Sequence, residues 1–242
     1  MRSWISGLLA ATAIIAATGV ASASSLQIMP INIEVPAPGA ASTVTLNNTG
    51  GDLINAQIRI FKWVQLNGQD ELIPTTDVVA SPPAVKLAPG KKSVIRVVRL
   101  GKAPAATEET YRLIVDELPK PVKAGQAGVG FSVRYSIPVF FSKTGEDVDL
   151  SWQASVVKGQ LVLKAENSGG RRVRLASLAV VNGAGKIIRI GEGLAGYVLG
   201  QSSKQWTVKG ASKAIAAGGT IKITAQGDNG PIEATAKVVA AN

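Results

Sequence analysis

From residue 26 onward, apolar residues recur at every second position over short runs that Gly, Pro, Asn and Asp interrupt, and no window carries a helical period. The runs are 26–35, 42–48, 54–66, 93–100, 111–118 and 129–141; after a charged, turn-prone stretch at 142–147 come 150–156, 161–167, 173–181, 186–190, 196–199, 204–208, 220–226 and 232–239. Two series of short strands on either side of one polar break predict an all-β chain of two sandwiches. The expected division is 24–143 and 144–242, and no internal repeat stands out.

Three strands carry further information. In the first, Leu26 and Ile28 share one parity while Ile31, Ile33 and Val35 share the other, with Met29-Pro30 between them. A period-two pattern that changes phase has switched its inward face, and proline donates no ladder hydrogen bond, so this strand is expected to be a kinked edge crossing between sheets. In 129–141 the alternation lasts for the whole run: Val129, Phe131, Val133, Tyr135, Ile137, Val139 and Phe141 fall on one face. Such a strand exceeds the five or six residues typical of globular proteins. Left at an edge, it is a template for pairing with another chain, and the alternative is a covered core strand.

The third strand is 111–118. Read as a hairpin with Leu118 opposite Val129, it places Arg112 opposite Tyr135 and brings Arg112 close to Arg134. Two converging guanidiniums need an anion, and an Arg fork suits a carboxylate. The counter-charge is either a ligand or one of Asp116, Glu117, Glu108 and Glu109 within the chain. Trp63, Trp152 and Trp206 are expected in the core or at an interface between domains.

Composition removes most enzyme chemistry. The 242 residues include no Cys and no His, which excludes disulfides, thiolate or imidazole metal ligands and the Ser-His-Asp triad. Paired carboxylates such as Asp116 with Glu117 point to opposite faces of a strand, and no S-x-x-K or G-x-S-x-G element occurs. No catalytic residue, metal or cofactor is expected. The opening stretch, with Arg2, an apolar centre and Ala21-Ser22-Ala23, has the form of a secretory leader over residues 1–23. The net charge of +10 comes from scattered basic residues without interleaved aromatics, which does not fit a nucleic-acid groove.

Ser81-Pro-Pro-Ala-Val-Lys-Leu-Ala-Pro-Gly-Lys-Lys-Ser-Val-Ile-Arg96 and Glu109-Thr-Tyr-Arg-Leu-Ile-Val-Asp-Glu-Leu-Pro119 resemble consecutive segments of periplasmic pilus-assembly chaperones of the chaperone-usher family. Val44–Gly50, Gln57–Trp63, Leu163–Gly169 and Gly196–Leu199 are weaker matches in the same order, so the resemblance spans essentially 25–240. It implies two immunoglobulin-like domains in an L or boomerang, and a mechanism in which the last strand of the first domain is lent to a pilus subunit. Val129, Phe131, Val133, Tyr135 and Ile137 are the implied donor side chains. The implied partners are pilins and an outer-membrane usher, with self-association through the same strand when free, and the implied compartment is the periplasm.

The best-known chaperones of this family anchor the subunit carboxylate with an Arg in the first strand and a Lys in the last, and those positions align here with Pro30 and Pro138. This departure resembles the divergent archaic, spore-coat-like branch. Arg112 and Arg134 are the expected replacement anchors, with Arg96 and Arg99 structural. The alternative function is a surface-exposed structural or adhesive two-domain sandwich.

Overall fold

The computed structural model describes residues 25–101, 107–119, 132–143, 145–208, 211 and 215–241. The leader segment 1–23, the donor candidates Val129 and Phe131, and the whole loop 120–128 between them and Pro119 lie outside the described residues.

The first sandwich uses β1 (Leu26–Met29), β2 (Ile33–Pro36), β3 (Ala41–Asn48), β4 (Ile54–Leu66), β5 (Gln69–Pro74), β6 (Val78–Ser81), β7 (Ala84–Leu87), β8 (Lys92–Arg99), β9 (Glu109–Glu117) and β10 (Arg134–Ser142). One sheet runs β1-β3-β8-β6 and the other β2-β10-β9-β4-β5, with β7 also on β4. The first strand crosses between sheets as its phase change predicts: β1 pairs antiparallel with β3, and after Met29-Pro30 the chain re-enters as β2, parallel to β10. Leu26, Ile28, Ile33 and Val35 all point into the core, whereas Ile31 lies in the crossover itself and is exposed. Strands β5, β6 and β7 are absent from the sequence-based expectation. They are short, and β5 is exposed along its whole length, so no alternation marks them.

The second sandwich uses β11 (Leu150–Val157), β12 (Gln160–Asn167), β13 (Val173–Val181), β14 (Ile187–Arg189), β15 (Leu194–Val198), β16 (Ser202–Val208), β17 (Thr220–Gly227) and β18 (Gly230–Ala241). Its two sheets share β18, which pairs antiparallel with β17 along its first two thirds and parallel with β11 along its last residues. Leu161, Leu163, Leu175, Val180, Ile221 and Ile223 fill the space between. Trp152 and Trp206 stack there, 6.1 Å apart. No α-helix occurs among the described residues.

The register of the β9–β10 hairpin corrects the expected one by three positions. Arg112 faces Pro138 and Arg134 faces Asp116, so Arg112 is not opposite Tyr135. The physical reason is the pleat. The observed register pairs Tyr111 with Val139, Leu113 with Ile137 and Val115 with Tyr135, setting apolar against apolar on the core face. The expected one would have set that face against Arg134 and Ser136, and a register shifted by an odd number turns every side chain to the wrong side.

Strand β4 shows the same constraint applied twice. Ile54, Ala56 and Ile58 are buried in the first core, but further on Trp63 and Gln65, of opposite parity, are the buried residues. The second half of β4 therefore buries its outer face, and what covers it is the second sandwich.

Candidate functional site

The outer face of β4, β9 and β10 meets the near edge of the second sandwich around Trp63, Phe140, Tyr197 and Leu199, and the angle where they meet, the cleft between the sandwiches, is flanked by a free strand edge. Strand β10 pairs with β9 from Arg134 to Phe141, but with β2 only from Val139 to Ser142. No described strand pairs with the other edge of Arg134–Pro138. The Glu117 amide donates to the Val133 carbonyl at 2.9 Å, which sets the alternation of the ladder. Odd-numbered residues of β10 direct their backbone groups to β9, and Arg134, Ser136 and Pro138 direct theirs outward. Pro138 lacks its N–H where no ladder bond is made, which is why a proline is tolerated at this place.

The apolar face of this strand grades from inside to outside. Ile137 is buried in the first core, Tyr135 is half-buried with its hydroxyl donating to the Leu26 carbonyl at 2.5 Å, and Val133 is half-exposed ahead of the strand. Ile137 is thus committed to its own sandwich, and side chains available to a partner begin at Val133 and lie upstream.

The two arginines expected to converge are separated. Both project from the outer face, but their cross-strand positions lie four residues apart, about 13 Å along the strand. Arg134 is 65% exposed and ion-paired with Asp116 at 2.5 Å, and Arg59 from β4 holds the other oxygen of the same carboxylate. Hydrogen bonding by Arg134, reinforced by Arg59 against the effect of burial, holds the Asp116 carboxyl below its ordinary range. Of the internal counter-charges considered, Asp116 serves Arg134; Glu109 instead pairs with Arg99 and Glu108 with Arg172.

Arg112 has no ion pair among the described residues. Its guanidinium lies 3.7 Å from the Trp63 ring centre and 5.7 Å from that of Tyr197, with a long 3.5 Å contact to the Ser136 carbonyl. Burial pushes its pKa down from the ordinary arginine value, as expected of a cation partly removed from water without a carboxylate. A partly desolvated guanidinium without a carboxylate partner keeps N–H donors that an anion can take.

The second sandwich completes the cleft. Trp63 and Phe140 from the first sandwich pack with Tyr197 and Leu199 from the second in a separate apolar cluster. Gln65 spans the boundary like a strand residue: its amide nitrogen donates to the Tyr197 carbonyl at 2.7 Å and its oxygen accepts from the Leu199 amide at 3.0 Å. Asp70 accepts from Trp63, Gln65 and Lys204. Burial raises the Asp70 carboxyl, but these three hydrogen bonds outweigh it and hold the pKa below its ordinary value. On the other side of Phe140, Arg172 is buried over the ring at 3.5 Å and ion-paired with both Glu108 and Glu34. Tyr197, Arg172 and Gln65 were not singled out by sequence reasoning. The parity change within β4 was the available signal for Gln65.

A strand edge left open beside a cationic cleft, on two packed sandwiches, agrees with the sequence comparison. Residues 25–145 match the model of the pili and flagellar-assembly chaperone, PapD N-terminal domain. The chain belongs to this chaperone family. No curated protein matches the chain by sequence at a significant level. Among solved structures, the chain is similar to one from the CsuC–CsuE chaperone–tip adhesion subunit pre-assembly complex of archaic chaperone-usher Csu pili of Acinetobacter baumannii, at 28% identity and a TM-score of 0.67, covering 90% of this chain and 99% of that one. It shares its fold with the YadV chaperone (18% identity, TM-score 0.61, 87% of this chain and 98% of that one). A chain from the Salmonella enterica SafA pilin–SafB chaperone complex matches at 20% identity and a TM-score of 0.60, over 87% of this chain and 95% of that one. The family consists of chaperones rather than enzymes.

Proposed function

We propose that this protein is a periplasmic chaperone that binds and stabilises pilus subunits by lending them the strand 129–137, and hands them to an outer-membrane usher. The observation that carries this reading is the open edge of β10 at Arg134–Pro138, where outward-facing backbone groups wait for a strand. A subunit that lacks its own final strand has the complementary unpaired backbone and an apolar groove, so strand addition satisfies both molecules. Each groove-filling side chain stabilises the complex by about 1.5–3 kcal/mol before ordering costs, which allows assistance without a nucleotide. Val129, Phe131 and Val133 are the groove fillers on this reading. Tyr135 marks the margin between the chaperone's own core and the subunit, and Ile137 anchors the donor strand at home.

Arg112 is the anchor for the subunit's terminal carboxylate, and Arg134, already engaged by Asp116, contributes to the positive field at the cleft's outer end. With prolines at the family's usual basic positions and the likeness to a chain from an archaic system, the protein fits the archaic branch. Residues 1–23 are then a cleaved leader, 24–143 the donor domain and 144–242 the second domain. No cofactor, metal or nucleic acid takes part, and without a subunit the open edge pairs with a second copy.

The test is to produce the chain in a periplasm with and without a pilin subunit and weigh the product by native mass spectrometry. The expected result is a one-to-one complex that is lost on Val133→Asp. A folded protein that never retains or protects the subunit would overturn the reading.

A further inference from the structure

The cleft holds Arg112 by an aromatic ring, and that ring is itself held by residues on both sides of the domain boundary. The Trp63 indole nitrogen donates to Asp70 Oδ1 at 3.1 Å, and Gln65 donates to the same oxygen at 2.8 Å. Lys204, from the second sandwich, donates to the other oxygen at 2.5 Å. Tyr197 closes edge-on against Trp63 at 5.4 Å, and Phe140 lies tilted at 6.1 Å. Trp63 is 1% exposed, so the ring has no freedom to turn away.

This arrangement answers a physical difficulty. A carboxylate anchor must keep a cation partly out of water yet unneutralised, and a protein carboxylate beside it would compete with the ligand. An aromatic face attracts a guanidinium through its quadrupole without using its N–H donors, and of those on Arg112 one makes only the long 3.5 Å contact to the Ser136 carbonyl. The nearby carboxylate, Asp70, is occupied by three donors, none of them Arg112.

We propose that Trp63 is the positioning residue of the Arg112 anchor, set by Asp70 and by Lys204 and Tyr197 of the second sandwich, so that the second sandwich takes part in reading the subunit's terminal carboxylate. The proposal rests on the anchor reading given above. Arg rather than Lys is then required at 112, because an ammonium on a flexible stem has no plane to lay on the indole.

The probe is a synthetic extended peptide of alternating Val and Ser, prepared with a free carboxyl end and as the C-terminal amide, and the readout is the ratio of the two affinities for the full chain. The wild type prefers the acid form. Arg112→Gln abolishes the preference. Trp63→Leu lowers it about threefold to tenfold, the range of a cation–π contact at a partly exposed site, and Trp63→Phe restores most of it. Adding Trp63→Leu to Arg112→Gln changes the ratio no further, although a general structural role would weaken both peptides in every background. Because Trp63→Leu empties part of a core, Arg112→Lys supplies an independent arm: charge is retained, yet the preference falls. A folded Trp63→Leu protein with the full preference, alongside Arg112→Gln without it, overturns this proposal alone. A wild type that does not distinguish acid from amide overturns the anchor and this proposal together.

Discussion

Arg112 and Pro138 face each other across the β9–β10 ladder in a non-hydrogen-bonded pair, the closer of the two kinds of antiparallel neighbour. Pro138 is where the family resemblance places a lysine, so the positive charge missing from the last strand stands one strand away, about 4.5–5.5 Å across the sheet. On the proposed reading the anchor is displaced by one strand, and the ring beneath its guanidinium is that of Trp63.

Replacing the two arginines separates their roles. Arg112→Ala is expected to weaken subunit capture at least tenfold while costing about 0.5–1 kcal/mol of stability from the lost contact with Trp63. Arg134→Ala is expected to leave stability unchanged and to weaken capture mainly at low salt, since its charge is exposed and already paired. Affinity measured at two ionic strengths, with thermal melts for both variants, checks this; equal losses at both sites would refute the distinction.

The proposed donor Val133, just ahead of β10, and the core residue Ile137 within it should respond oppositely. Val133→Asp leaves the melting temperature near that of the wild type and abolishes the complex. Ile137→Ala, at 3% exposure within the first core, costs about 2–5 kcal/mol. Denaturant titration beside native mass spectrometry distinguishes them, and a Val133→Asp protein that still binds would remove Val133 from the donor set.

Arg172 is the buried cation between the sandwiches. Its side chain is 3% exposed and that of Glu108 is fully buried, so Arg172→Met strands a carboxylate and is expected to cost about 3–5 kcal/mol. Pairing it with Glu108→Gln should recover much of the loss, because the uncompensated charge goes too. A double variant as unstable as the single one would show that packing over Phe140, not charge, is what Arg172 supplies.

Acid should loosen the cleft through Asp70. Its carboxyl is held below the ordinary 3.8, so the folded state favours the ionised form. The stability it contributes is complete above 3.8 and is lost as the pH falls through the lower folded-state value. Melting temperatures of wild type and Asp70→Asn should therefore differ at neutral pH and converge in strong acid. A constant difference across that range would show that Asp70 is not held by its three donors.

Much of this was legible in the chain. The crossing of the first strand between sheets follows from the phase change at Met29-Pro30. Of the long alternating run expected over 129–141, the described strand is Arg134–Ser142, and 132–133 lie outside it. Strands β5 to β7 were not, because an exposed or four-residue strand carries no period to read. The hairpin register was misplaced although the parity of Tyr111, Leu113 and Val115 against Tyr135, Ile137 and Val139 already favoured the observed one.

By itself the sequence determined the all-β class, the two sandwiches, the exclusion of thiol and imidazole chemistry and the strand that could be lent, since each of these rests on local periodicity or on residue types that are present or absent. Only the tertiary structure decided which arginine is spent and which is free, because Asp116 and Trp63 reach Arg134 and Arg112 from positions set by register and not by proximity in the chain. It also decided that Trp63, Gln65 and Phe140 face a second sandwich. Pairing between domains depends on distances across space, and a one-dimensional pattern records only that such a residue is apolar or polar, not what will be laid against it.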